Sequence, residues 1–473
     1  MKQRTINAII MALFVSLAVS GCSENALSNT DTQSKAATSV SAAADSETTT
    51  ATTAPADDNE EAAAETTTTA AKAEEKAEAV SADSDDGESS LEVVTAEFTG
   101  SSSGIIDTTD LFSDRDLRQE ADLEDAQTIT AADGETVNIT EAGVYVISGS
   151  ASGCTIRVEA DKEAKVQLVL DGVSITNEDA PAIYVVSADK CFITTASNSE
   201  NTLEVTGTFT ADGDTNTDAV IFSKDDLVLN GLGTLTINST DNGISGKDDV
   251  KVTGGTYNIT SAKAGIEAND SLSVCGGTFS ITAGSDAIKC ENSDDDTLGT
   301  VYISDGEFEL SASSDGIQGV SAVQIDGGTI NITASEGIEA TYIQVNGGTI
   351  DITASDDGIN ASAKSSSYTP TIEFNGGYTT INMGAGDTDG VDANGSVYVN
   401  GGTVSVNTSG NSFDYDYTAE FNGGTIIING EEVSEIPEDM MGGMGGFGGR
   451  GNMGDMGDMG GFGGRGNMGG AMA

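Results

Sequence analysis

Histidine is absent from this chain of 473 residues, and basic residues are scarce: 19 Lys and Arg stand against 77 Asp and Glu. The missing imidazole excludes histidine-based catalysis and histidine-liganded zinc. The formal net charge of −58 argues against nucleic acid and anionic membrane surfaces as partners, because like charges repel.

Cysteine is scarce as well, with five in the whole chain. No two of them have CxxC spacing, so a thiolate metal site is not expected. Cys22 belongs to the N-terminal signal described next. The other four allow three disulfide pairings or four free buried thiols, and the sequence does not choose between these: Cys154, Cys191, Cys275 and Cys290.

The N-terminus has the pattern of a secretory signal. Lys2 and Arg4 precede an apolar run from Ile6 to Val19, which is short for a membrane span. The residues that end at Cys22 (Val-Ser-Gly-Cys) resemble a bacterial lipobox, and the resemblance implies cleavage before Cys22 and a lipid on its sulfur. We therefore expect a signal peptide at 1–21 and an extracellular protein held by lipid to the outer face of the bacterial cell membrane. Plain secretion and a retained anchor are the alternatives.

Both flanks of the chain lack the apolar residues that a core needs. Segment 22–95 is rich in Ala, Thr, Ser, Glu and Asp, which predicts a disordered acidic linker after the lipidated Cys22. Segment 96–126 is a leader or cap region, and its charged part, Asp110–Asp125, is either a short helix or an ordered leader. Segment 431–473 is a low-complexity tail rich in Gly and Met, as expected of a flexible coil.

The centre of the chain repeats one pattern: apolar-x-apolar-x-Gly-Gly-Thr-apolar-x-Ile-Thr, then Asp/Glu-Gly-Ile. Val250–Thr260 and Val323–Thr333 are two copies. A fixed period indicates stacked units, and the alternation of period two indicates strands. The Gly-Gly pairs supply positive φ at the corners. The sequence predicts an all-β fold, a parallel β-helix (solenoid) over 127–430, right-handed because nearly all parallel crossovers are.

The last isoleucine of the pattern marks each repeat, and the gaps between the later markers run from 21 to 32 residues. The two longest of these later gaps contain insertions at Glu291–Gly299 and Ala361–Pro370, which are expected to form loops. Aromatic residues at Tyr257, Phe279 and Phe308 fall on inward positions and are predicted to be core. The markers are Ile183, Ile221, Ile244, Ile266, Ile288, Ile317, Ile338, Ile359 and Val391.

Two columns of polar residues flank the marker strand. One lies just before the marker glycine, and the other lies two residues after that glycine and runs from Glu267 to Asp392. Strands about 4.8 Å apart bring stacked carboxylates close enough to repel by roughly 3 kcal/mol at an effective dielectric near 20. Such a stack needs water, protonation or a cation, and calcium prefers six to eight oxygen ligands. The sequence therefore predicts calcium sites, with a solvated acidic face as the alternative. The predicted ligands are Asp315, Glu336, Asp357 and Asp389, helped by Glu339 and Asp392, with Asp286 at the start of the first column.

A third column, just before the Gly-Gly corner, is expected to point outward. Tyrosines and amides there suit a polysaccharide, because rings stack on sugar faces and polar groups bond hydroxyls. The absence of tryptophan weakens this hypothesis, and ordinary surface is the alternative. The predicted carbohydrate-binding residues are Tyr302, Tyr398, Gln324 and Gln344, together with Tyr378 in an outward Thr position.

Several ordered blocks carry a family resemblance: Thr140–Gly149, Leu168–Asn177, Ala182–Tyr184, Ile221–Leu227 and Gly246–Val250. In these blocks the chain resembles the bacterial carbohydrate-binding-domain-containing β-helix lipoproteins, over about 105–430. The resemblance implies an extracellular right-handed β-helix that holds calcium and binds cellulose and pectin-like acidic glycans. It also implies similarity in fold to certain pectate lyases, without established lyase activity.

Together these observations predict a noncatalytic, calcium-holding, polysaccharide-binding lipoprotein, a monomer that touches the membrane only through its lipid. A calcium-dependent polysaccharide lyase is one alternative, with Lys289 as its only attractive base. The surrounding carboxylates are expected to raise the pKa of Lys289, which is the wrong direction for a base. A structural or adhesive surface spacer is the other alternative.

Overall fold

The structure is a computed structural model that describes residues 93–385 and 388–437. All regular secondary structure in these residues is β-strand. No helix in the described part of the chain is long and apolar enough to cross a membrane. The predicted signal peptide, Cys22, most of the predicted linker and the Gly/Met-rich tail from 438 onward lie outside the described residues.

The strands are short and follow one another closely along the chain. The first group is β1 (Gln127–Thr130), β2 (Thr136–Ile139), β3 (Gly143–Ser152), β4 (Thr155–Glu159), β5 (Lys165–Asn177), β6 (Ile183–Ser187), β7 (Lys190–Thr195), β8 (Glu200–Val205), β9 (Ala219–Ser223), β10 (Asp226–Gly231) and β11 (Thr234–Ser239). The second group is β12 (Asn242–Gly246), β13 (Val250–Val252), β14 (Thr256–Ser261), β15 (Ile266–Ala268), β16 (Ser271–Ala283), β17 (Ile288–Cys290), β18 (Thr300–Ala312), β19 (Asp315–Ile325), β20 (Thr329–Ala334), β21 (Glu336–Val345) and β22 (Thr349–Ala354). The third group is β23 (Ile359–Ala361), β24 (Thr371–Phe374), β25 (Tyr378–Met383), β26 (Asp389–Ala393), β27 (Ser396–Val399), β28 (Thr403–Asn407), β29 (Asn411–Tyr415), β30 (Ala419–Phe421), β31 (Thr425–Ile428) and β32 (Glu431–Val433).

Each strand pairs in parallel with the equivalent strand of the next repeat. Thus β10 pairs with β13, β11 with β14 and β12 with β15. The marker residues lie opposite one another, as Ile266 does with Ile288 and Ile359 with Val391. The predicted register is therefore confirmed. Among the described strands only β32 pairs antiparallel, folding back on β31 just past the predicted end at Gly430.

One continuous apolar core fills the space between the strands. Tyr257, Phe279 and Phe308 come from successive repeats and stack in it, with ring centroids 5.4 and 4.6 Å apart. All three are buried, as the alternation predicts. Full burial of one such ring stabilises the fold by about 1.5–3 kcal/mol.

The two glycines of each Gly-Gly corner have different roles. The second glycine has positive φ, as Gly348 does at 87°, which L-residues with a side chain rarely adopt. The first glycine gives room for the neighbouring repeat, because a Cβ on Gly347 would lie 2.3 Å from the carbonyl oxygen of Asp326. The predicted positive φ is thus found at the second position of the pair only.

The leader, defined here as residues 93–126, lies on the outer face of these strands without forming a helix. The guanidinium of Arg115 lies 4.4 Å above the Phe192 ring, and buried Asp116 forms an ion pair with Lys190 at 3.4 Å. Further along, Gln119 donates its amide to the carbonyl of Thr253 at 3.1 Å. Of the two predicted forms, the ordered leader is the one observed.

The two insertions form loops, as predicted, between β17 and β18 and between β23 and β24. They contact each other, since Ser366 donates its backbone N–H to Oδ2 of Asp296 at 2.9 Å. The second loop also reaches the marker strands, because Ser362 donates its hydroxyl to Oε1 of Glu339 at 3.1 Å.

Candidate functional site

One column of side chains immediately follows the marker residues and runs through the repeats. Its early members are basic and aromatic, and its late members are acidic. The sequence had identified the stretch from Glu267 to Asp392 and had missed both ends. In order the column is Arg157, Tyr184, Phe222, Ser245, Glu267, Lys289, Gln318, Glu339, Asn360, Asp392 and Asp414.

The first predicted calcium group is brought together around β19 and β21. Carboxylate oxygens of Asp315, Glu336 and Glu339 lie within 4.8 Å of one another. Gln318 bridges two of them, donating its amide to Asp315 at 2.7 Å and to Glu339 at 2.9 Å. Lys364, from the second insertion, forms an ion pair with Glu339. This cluster therefore already holds one cationic side chain.

Burial and like charge act together on this first cluster. Burial, followed by the charges of Asp286 and Glu339, raises the pKa of Asp315 to about 7. Burial also raises the pKa of Glu336, against the hydrogen bond that it accepts from Asn360. Asp286 lies next to the cluster, where its Oδ1 accepts the backbone N–H of Asp315 at 3.2 Å.

The second predicted group lies at the C-terminal end of the same column. Oxygens of Asp389, Asp392 and Asp414 come within 4.8 Å of one another. Asp357 adjoins them, since its Oδ1 accepts the backbone N–H of Asp389 at 3.2 Å. Burial, then Asp357 and Asp414, raise the pKa of Asp392 to about 7. Burial is also the main cause that raises the pKa of Asp357 to about 6.

Asp414 was missed because it follows Phe413, so the isoleucine or valine marker that precedes every other column member is absent there. The register nevertheless places Asp414 opposite Asp392. Three carboxylates at this spacing offer hard oxygen ligands of the kind that calcium takes.

A third acidic cluster, which the repeat pattern did not predict, consists of Asp226, Asp248 and Asp249. Burial, then Asp226 and Asp249, raise the pKa of Asp248 to about 6. Lys190 lies 3.7 Å from Asp226. The signal in the sequence was the Lys-Asp-Asp triplet, present at Lys224 and again at Lys247.

Three of the predicted carbohydrate-binding residues are covered, so their predicted exposure is wrong. Tyr302 is only 2% exposed and packs against Phe98 of the leader, with ring centroids 6.3 Å apart. Gln324 and Gln344 are also buried, and each accepts a backbone N–H from the leader. The alternation did orient these side chains outward from the core, but the leader lies on top of them.

The other two predicted tyrosines are accessible but lie on different strands. Tyr378 is 65% exposed in β25, in register between Thr349 and Thr403. Tyr398 is half-buried in β27, opposite Glu373. The five predicted residues therefore do not form one surface.

Near Tyr398 the structure adds two tyrosines that sequence reasoning missed. The rings of Tyr342 and Tyr368 meet edge to face with centroids 5.4 Å apart. The hydroxyl of Tyr342 donates to Oε2 of Glu373 at 3.3 Å. Tyr368 lies in the non-repeating second insertion, so periodicity gave no signal for it.

All four cysteines in the described part of the chain are free and buried, which answers the question of pairing that the sequence left open. Burial raises the pKa of Cys191 to about 12, so this thiol stays neutral at physiological pH.

A curated relative and a solved structure are similar to parts of this chain. A carbohydrate-binding domain-containing protein of Acetivibrio thermocellus is 39% identical over 122 residues, which is 25% of this chain and 43% of the relative's length. A solved structure described as the polysaccharide lyase-like protein from C. thermocellum, a gadolinium derivative, is 25% identical; the match covers 64% of this chain and 94% of that one, with a TM-score of 0.30.

A family model described as carbohydrate-binding domain-containing protein matches residues 133–390 and 335–438, more than half of the chain. The resemblance inferred from the ordered blocks is thereby confirmed, and the chain belongs to the carbohydrate-binding domain-containing protein family.

Proposed function

We propose that this protein binds polysaccharide at the bacterial cell surface through calcium held along a right-handed parallel β-helix, and that it does so without catalysis. The observation that carries the proposal is the acidic end of the marker column, where Asp389, Asp392 and Asp414 converge in a member of a carbohydrate-binding family. The glycan class we favour is cellulose-like or polyuronate-like.

The β-helix is supported by the pairing pattern. Strands two or three positions apart in the chain pair in parallel over most of the described residues, and Gly-Gly corners separate successive strands in the later repeats. Each repeat alone buries too little surface to be stable, and stacking makes the core continuous. The right hand follows from the general preference of parallel crossovers.

The proposed binding of calcium is supported by the carboxylate oxygens of the clusters and by the repulsion between these carboxylates. Half-buried carboxylates at this spacing are held near one another at an electrostatic cost, which a divalent cation removes. The cluster at Asp392 is the stronger site in this proposal, because Lys364 already neutralises part of the cluster at Glu339. A calcium ion bound at Asp392 would also bridge this polyanion to the carboxylates of a polyuronate.

Absence of catalysis is supported by the state of Lys289, the one residue that suits a lyase base. Its ammonium lies 2.6 Å from the carboxylate of Glu291. Burial alone would lower the pKa of Lys289, but the hydrogen bond and charge of Glu291 outweigh it and raise the pKa. A protonated, paired lysine is poorly suited to abstract a proton.

Location at the cell surface rests on the lipobox that ends at Cys22. In this proposal the mature chain is a monomer, and its only contact with the membrane is the lipid on Cys22. A Cys22→Ala variant should appear in the medium or accumulate with its signal attached, and unchanged fractionation with the membrane would refute the anchor.

Affinity electrophoresis in gels containing polygalacturonate tests the proposed binding. With calcium present the wild type should be retarded, and Asp392→Asn or Asp414→Asn should lose most of that retardation. Asp351→Asn is the matched control, because Asp351 is an exposed aspartate on another strand. Equal retardation of all four proteins would show that the cluster has no part in binding, whereas no retardation of the wild type would favour the spacer role.

A further inference from the structure

We infer that Tyr342, Tyr368 and Tyr398 form an aromatic cleft around Glu373 that binds the ring face of a neutral pyranose without calcium. This inference rests on the proposed polysaccharide binding and adds a second subsite with its own sugar preference. The cleft is centred on two residues of the third column, Glu373 and Tyr398. The two predicted calcium clusters belong instead to the marker strands.

The cleft is assembled from three separate elements. Tyr342 comes from β21, Tyr398 from β27, and Tyr368 from the insertion before β24. Tyr342 and Tyr368 meet edge to face at 5.4 Å. Glu373 lies in register between Gln344 and Tyr398, which puts its carboxylate between the tyrosines of neighbouring repeats.

The carboxylate of Glu373 is held in a fixed orientation. Its Oε2 accepts the amide of Gln344 at 2.6 Å and the hydroxyl of Tyr342 at 3.3 Å, while Oε1 accepts the amide of Asn400 at 3.1 Å. Burial, then the charge of Glu373, raise the pKa of Tyr342 to about 12, and the phenols of Tyr398 and Tyr368 contribute. The three phenol groups and the carboxylate are therefore close enough to interact electrostatically.

The leader marks one border of this cleft. Ile105 donates its backbone N–H to Oε1 of Gln344 at 3.2 Å, and the other amide atom of Gln344 faces Glu373. Residues of the third column before this point, such as Tyr302, are covered by the leader. The half-exposed tyrosines begin where that cover ends.

The chemistry of the cleft selects a neutral sugar. Aromatic faces stack on the C–H face of a pyranose, and a fixed carboxylate accepts hydrogen bonds from its hydroxyls. A uronate carboxylate would instead be repelled by Glu373. The cleft thus suits a cellulose-type chain, whereas the acidic clusters suit a polyuronate bridged by calcium.

Affinity electrophoresis in hydroxyethyl cellulose with a calcium chelator tests the inference. Tyr398→Ala and Tyr368→Ala should each bind about 3- to 10-fold more weakly than wild type, the range expected for loss of one stacking ring. Tyr378→Ala should bind like wild type, because this exposed tyrosine lies on β25, outside the cleft, and the inference assigns it no part in binding despite its predicted role. Thermal unfolding of each variant checks that the fold is intact.

A second measurement does not depend on substitutions. Cellohexaose should protect Tyr368 and Tyr398 from nitration by tetranitromethane while leaving Tyr378 reactive. The inference is wrong if Tyr378 is protected equally, or if both cleft variants bind like the wild type. It is also wrong if the wild type binds only polygalacturonate with calcium, although the proposed function would then stand. Failure of the wild type to bind either glycan would refute both.

Discussion

The backbone N–H of Ile106 donates to Oε1 of Gln324 at 2.8 Å, joining residues that are 218 positions apart in the chain. Through this contact and its neighbour at Gln344, the leader covers side chains that would otherwise point into solvent. The open part of the third column is thereby confined to the C-terminal repeats. The proposed calcium site at Asp392 lies in those same repeats.

Calcium should bind the folded protein and stabilise it, because a ligand that binds only the native state raises its free energy of unfolding. At 100-fold excess over the dissociation constant the gain is about 2.7 kcal/mol. Calorimetric titration should show calcium heat, and the melting temperature should rise with calcium. Asp392→Asn should remove most of this rise, whereas Asp351→Asn should keep it. A titration without heat at millimolar calcium would refute the site.

The pH dependence of stability should differ with and without calcium. The folded-state pKa values of Asp315 and Asp392 are raised to about 7, so the native state binds more protons than the unfolded state between about pH 4 and 7. These two groups therefore make the calcium-free protein less stable as the pH rises through that window. Calcium keeps the carboxylates ionised and should cancel the loss.

The measurement is the calcium-induced rise in melting temperature, which should be small at pH 5 and grow towards pH 8. Binding heats measured in two buffers of different ionisation enthalpy should reveal proton release at pH 6–7. A rise that is constant from pH 5 to 8 would contradict the raised pKa values as well as the proposed ligands.

The leader should protect Cys275, which is buried in a cluster with Phe112 and Tyr302. Burial raises the pKa of Cys275 to about 12, so its thiol is both covered and neutral. Phe112→Ala should speed alkylation of Cys275 by iodoacetamide about tenfold, because removing a buried ring makes local opening about 1.4 kcal/mol easier or more. Mass spectrometry measures the rate.

Cys191 is the internal control for this experiment, because it lies in the main core. Its labelling should stay slow in the Phe112→Ala variant. Equal acceleration of both thiols would mean global unfolding, and unchanged labelling of Cys275 would mean that the leader does not protect this face.

The stacked aromatic rings should be a large source of stability. Phe308→Ala removes a buried ring that stacks on Phe279 at 4.6 Å, and should cost about 3–5 kcal/mol. Urea denaturation measures the change, and Tyr378→Ala should stay within about 0.5 kcal/mol of wild type. Similar costs for the two variants would contradict the inward assignment of Phe308.

The sequence was most informative wherever the repeat was regular. The register of Ile266 and Ile288, and the grouping of Asp389 with Asp392, follow from a fixed period and the alternation of strands. It failed where a contact came from outside the repeat. Nothing in the period indicates that Phe98 packs on Tyr302.

The same limit explains the residues that were missed. Asp414 follows an aromatic residue in place of the usual isoleucine or valine marker, and Tyr368 belongs to an insertion without repeat partners. Their positions depend on how neighbouring repeats stack in three dimensions. A single repeat read in isolation carries no such information.

The most direct test of calcium-mediated polysaccharide binding is a calorimetric titration of polygalacturonate into the full chain, first with calcium and then with excess chelator. Binding should be saturable with calcium and should be lost with chelator, because both partners are polyanions. Absence of binding in the presence of calcium, or equal binding after chelation, would contradict calcium-mediated binding.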